Sequence, residues 1–134
     1  MRGIISLFIA IIMLTGCNQS KAMNAQQSQN ETTIGNPTAK EVLAQNPSVD
    51  VFQYKDIVYM NASDIEWVQQ AELTIGERVG TITKQYKEDL TFEQGMATKL
   101  PVETEIYEPL EAKGSILIVK LKDDEVRYLG LFEG

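Results

Sequence analysis

Histidine is absent from this chain, and cysteine occurs once, at position 17. The first absence removes His-based catalytic triads, His general-base chemistry and nearly all zinc, copper and haem sites. The second leaves no partner for an internal disulfide. Basic residues are also scarce: 12 Lys and Arg stand against 19 Asp and Glu, a formal net charge of −7. That balance disfavours nucleic acid, whose phosphates demand a Lys/Arg surface. Oxygen-only cation sites survive these exclusions. However, Asp123-Asp124-Glu125 lacks the alternating spacing and the glycine of a calcium loop. Gly76, Gly80 and Gly95 make no phosphate loop, because no Gly-Lys-Ser/Thr follows them. No metal site and no cofactor is expected.

The longest apolar run is short and lies at the N-terminus. One positive charge, Arg2, precedes Ile4 to Leu14, and small residues follow immediately. These are the three parts of a secretory signal, and the run falls well below the ~20 residues that span a bilayer as a helix. Leu14-Thr15-Gly16-Cys17 then resembles the lipobox of bacterial lipoproteins. The resemblance implies cleavage between Gly16 and Cys17, a diacylglycerol on the Cys17 sulfur and a palmitoyl group on its amine. Each buried CH₂ contributes about 0.8 kcal/mol, so one acyl chain binds reversibly whereas two hold a protein on the membrane. Residues 1–16 are therefore expected to be the signal peptide, and the protein is expected on the cell membrane, facing away from the cytoplasm.

Residues 17–38 carry the lipidated cysteine and a Gln-, Asn-, Ser- and Thr-rich stretch with almost no large apolar side chains. Such a segment cannot bury enough surface to offset its ordering entropy and reads as a tether with an r.m.s. reach of about 25 Å.

Residues 39–134 hold all the remaining apolar periodicity. Thr38 with Glu41 predicts a capped helix ending before Pro47, and Ser63 with Glu66 predicts a second, with Ile65, Val68 and Trp67 facing inward. Val51–Tyr54 and Ile57–Met60 predict a hairpin around Lys55-Asp56. Strands are expected at 72–75 and 78–83, separated by Gly76-Glu77, with a bulge near Gly80. Residues 84–99 read as a long polar surface loop. Alternation over 100–107 predicts a half-buried strand, the apolar run 115–121 a central one, and Asp123-Asp124 a turn into 126–131. The expected fold is α+β: one small, strongly curled antiparallel sheet of six or seven strands, barrel-like, with two short helices.

Chemistry is thin. Glu103, Glu105, Glu108 and Glu111 read as the solvated face of a strand rather than as an acid–base pair, because neighbours on one face share one environment. Ser63 and Ser115 have no histidine to activate them and read as a cap and a strand start. No enzymatic activity is expected. Trp67, Tyr59, Tyr107 and Tyr128 are the candidate binding surface, since amphipathic aromatics make good contact anchors.

The segments VYMNASDIEWV, ATKLPVETEIYEPL and ILIVKLKDDEVRYLGLFEG make the domain similar to small lipoproteins of Bacillus-like Gram-positive bacteria. That similarity implies export and anchoring and brings no catalytic residues. The expected role is a non-catalytic protein-interaction module of the cell envelope. The alternative is a binding module for a small ligand or a cell-wall fragment. Between residues 39 and 134 there are 18 acidic and 10 basic residues, a net of −8. A protein partner is therefore expected to present a basic surface.

Overall fold

The computed structural model describes residues 35–133. The expected signal peptide, Gly16, Cys17 and nearly all of the expected tether lie outside these residues. The compact unit is Gly35–Gly134. At its start the Gly35 N–H donates to Glu133 (2.8 Å), and Asn36 Oδ1 accepts the Glu133 N–H (3.2 Å).

Among the described residues two helices and eight strands follow in order: α1 Ala39–Gln45, β1 Val51–Tyr54, β2 Ile57–Asn61, α2 Glu66–Gln70, β3 Ile75–Thr81, β4 Lys84–Gln85, β5 Met96–Ala97, β6 Glu105–Pro109, β7 Ile116–Leu121 and β8 Asp124–Gly130. The α+β class, the curled sheet and the two helices agree with the sequence reading. The strand count and the pairing do not. There are eight strands in the order β3-β6-β7-β8-β2-β1-β5-β4, and β4 runs parallel to β5, so the sheet is mixed.

The chain itself forces the curl. Strands β3 and β4 stand at opposite ends of the order, yet only Ile82 and Thr83 separate them. The sheet must bend until its ends meet there, giving a half-barrel. At the junction Ile82 donates to the Thr104 carbonyl (2.9 Å) and accepts from the Glu103 N–H (2.7 Å), while Thr83 donates to the Gly95 carbonyl (2.9 Å). Gly95 is required here. Its φ is +87°, and a Cβ would lie 2.4 Å from Thr83 Oγ1.

The barrel interior is packed by Phe52, Tyr59, Ile82, Ala97, Leu100, Ile106, Leu117, Val119 and Tyr128. Each helix covers a smaller apolar cluster on the outer face. Ala39 of α1, with Val42 and Leu43, packs on Val51 and Val58. Val68 of α2 packs on Ala62 and Ile116. Strand β7 is thus buried on both faces from Ile116 to Val119, which is why its sequence is an unbroken apolar run.

The capping box of α1 forms as predicted, with Thr38 Oγ1 accepting from the Glu41 N–H at 3.2 Å and Glu41 accepting from the Thr38 N–H at 2.7 Å. The second box does not. Asn61 Oδ1 accepts the Ser63 N–H (2.8 Å), and α2 starts only at Glu66 with Ile65 as its cap. The β1–β2 hairpin turns through Lys55 (φ +49°) and Asp56 (φ +57°), both left-handed, as a two-residue primed turn requires. The β7–β8 turn falls on Lys122-Asp123, one residue before the predicted pair.

Gly76-Glu77 lies inside β3 rather than in a turn, and the expected irregularity appears as register shifts on either side of Arg78, the second between Arg78 and Gly80. The predicted strand at 100–107 starts only at Glu105, because Glu103 adopts φ +78° and breaks the extended run. The polar 84–99 stretch contains β4 and the buried β5, so it belongs partly to the sheet.

Candidate functional site

Large apolar side chains left in solvent are the first candidates for contact, because burial elsewhere would stabilise the fold. Four stand out: Leu110 at 71% exposure, Trp67 at 53%, Phe132 at 49% and Val102 at 48%. Leu110 lines a recess of about 280 Å³ by the β6–β7 connection, together with Tyr59, Gly114 and Ser115, and Trp67 and Phe132 stand next to residues of that lining. The Trp67 ring lies over Gly114, where a Cβ would sit 3.5 Å from it. The Phe132 ring lies over Gly130, beside Ser115 and Tyr59.

Of the aromatics expected to form a surface, the structure brings Tyr59 into this recess and Trp67 next to it. Trp67 lies exposed beside Gly114, not inward-facing as the helical spacing suggested, because α2 turns Val68 to the core instead. Tyr59 is mostly buried and forms part of the floor. Its ring stacks on Phe52 (5.4 Å, 12°), and its hydroxyl pKa is raised by burial and by the nearby Tyr54 and Glu108. Tyr107 is half-buried elsewhere on the sheet, with Lys120 Nζ 5.2 Å from its ring centroid.

Tyr128 lines no surface. It is fully buried in the main cluster, and its hydroxyl donates to the Asp50 carboxylate, 2.9 Å from each oxygen. Leu110 and Phe132 were missed by sequence reasoning, since an apolar residue in a strand-rich segment reads as core.

The acidic residues behave as ordinary ion-pair and capping groups. Glu105 pairs with Arg78 at 2.7 Å, and the hydrogen bond from that guanidinium holds its carboxyl below the usual range. Glu111 accepts from the Thr74 N–H (2.7 Å) and hydroxyl (2.8 Å), which lower its pKa too. A general acid needs the opposite shift. Glu103 is off the strand, in the turn before it. Among the described residues no group of three His, Cys, Asp or Glu is placed to hold a metal ion.

A second concavity of about 650 Å³ opens between α1 and the segment before β5. Ala39, Leu43, Leu90 and Phe92 give it apolar walls, and Gln53 and Tyr86 bring polar groups to it. The Tyr86 and Phe92 rings lie 4.9 Å apart, bracing the segment that forms one wall. In comparisons with protein-family models, curated proteins and solved structures, nothing matches this chain.

Proposed function

We propose that the protein is exported, lipidated at Cys17 and held on the outer face of the cell membrane, where its domain acts by binding another envelope protein without catalysis. The observation that carries the binding part is that Leu110 lines the recess while Trp67 and Phe132 flank its lining residues Gly114 and Ser115, all three about half exposed or more. Aromatic and aliphatic anchors around a shallow depression are the usual energetic centre of a protein interface. The anchoring part rests on the lipobox-like run ending at Cys17. Metabolic labelling with a fatty-acid analogue tests it. Label should enter the wild-type chain and be lost in Cys17→Ala; undiminished incorporation in the variant would refute lipidation at that residue.

A second reading has one observation of its own. The 650 Å³ groove beside α1 has the size of small-ligand sites, and Lys40, Gln53, Tyr86 and Glu88 set polar and charged groups beside its apolar wall. Soluble cell-wall fragments added to the protein should then perturb the NMR signals of Gln53, Tyr86 and Phe92. Unchanged signals at millimolar fragment would dismiss this reading.

A further inference from the structure

The three exposed anchors share a second property: each sits beside a hydrogen-bonded clamp that fixes its backbone. Next to Trp67, the Arg127 guanidinium donates to the carbonyls of Val68 (2.6 Å), Gln69 (3.3 Å) and Ala71 (2.8 Å). Beside Leu110, whose own N–H donates to the Thr74 carbonyl (2.9 Å), Glu111 holds Thr74 through both of its carboxylate oxygens. After Phe132, Glu133 takes the Gly35 N–H and gives its own N–H to Asn36. Apolar side chains presented on restrained backbone lose little further entropy when a partner covers them, so more of the contact energy appears as affinity.

Charge decides what can cover the patch. Glu108 and Glu111 line the recess, and Glu66 and Glu133 are the chain neighbours of Trp67 and Phe132. The basic groups nearby are Lys113, in the loop between Leu110 and Ser115, and Arg127, which is turned onto the α2 carbonyls. A second copy docking face to face would set these carboxylates against their own images. Anionic headgroups would be repelled in the same way. Resting on the interaction reading above, we infer that the Trp67–Leu110–Phe132 face is the docking site, and that its occupant is a protein segment carrying large apolar side chains flanked by Lys or Arg. The apolar side chains enter the recess between Leu110 and Phe132, and the basic flanks meet Glu66 and Glu108.

The test is site-specific photo-crosslinking in cells that make the full-length lipidated protein. A benzophenone amino acid replaces Trp67, Leu110 or Phe132 in turn, with Asp123 in the far turn of β7 and Thr91 in the α1 groove as comparison positions. The three patch positions should capture one common protein, and sequencing of the attached peptide should give a net-positive segment containing large apolar residues. Adding Glu108→Lys, whose carboxylate lines the recess, should cut the yield by at least about fivefold while leaving the melting temperature unchanged. An acidic segment, a second copy, lipid adducts alone, or a yield indifferent to charge reversal would overturn the inference. If Thr91 or Asp123 captures a protein and the patch does not, the docking site falls while the interaction reading stands. If no position captures a protein, both fall.

Discussion

Tyr128 shows how one residue can satisfy two demands that the sequence presents separately. Its ring packs against Phe52 at 5.0 Å inside the barrel, and its hydroxyl reaches Asp50, which also accepts from Asn61 Nδ2 at 2.8 Å. The partner lies 78 residues away, so no local pattern could distinguish a buried tyrosine with an acceptor from a surface one. Tyr128→Phe should cost about 1–2 kcal/mol at neutral pH, because it removes a buried hydrogen bond to a charged acceptor. Burial and the Asp50 charge raise the Tyr128 pKa far above its usual value. The unfolded chain ionises that phenol near pH 10 and the folded one does not, so the folded state holds the extra proton and stability falls as pH rises past about 10. Phenylalanine has no such proton. The gap between the two proteins in urea unfolding should therefore be widest near pH 7 and narrow above pH 10. A gap independent of pH would show that the hydroxyl is not the source of the difference.

Elements were legible where their determinants are local. Helix α1 was readable because its capping box spans four residues, and the β1–β2 hairpin because two β-rich runs flank a two-residue link. Strands β4 and β5 were not, since two residues carry no periodicity and their pairing is fixed by the barrel junction instead. Helix α2 falls between these cases: its position was foreseen, but not what holds it. It has no side-chain N-cap, and three carbonyls in and just after it are held by Arg127 from β8. Arg127→Ala should thus loosen α2 more than the strand that carries the residue. Charge-assisted bonds of this kind suggest a loss of about 2 kcal/mol. Hydrogen exchange should accelerate at Gln69 and Ala71 while amides of β7 stay protected. Equal acceleration across β7 and β8 would place the role of Arg127 in the sheet and not in the helix.

At the scale of the whole molecule, the sheet ties the three apolar clusters into one cooperative unit. Val51 and Val58 face α1 while Phe52 and Tyr59, their neighbours on β1 and β2, face the interior. Likewise Ile116 faces α2 while Leu117 faces the interior. No outer cluster can separate without disturbing a strand whose other face is in the main core. The sequence announced one domain through its apolar distribution, but not this sharing, which depends on which strands become neighbours. Residues 35–134 expressed alone should therefore unfold in a single transition. Far-UV dichroism would follow the helices and strands. Near-UV dichroism would follow the buried Phe52, Tyr59 and Tyr128 rings, and fluorescence would follow the solvent-facing Trp67 on α2. The three midpoints in urea should coincide. An earlier fluorescence midpoint would mean that α2 and its cluster open before the barrel. The patch that Trp67 shares with Leu110 and Phe132 would then be assembled only on binding, and the affinity gained from its clamps would be lost.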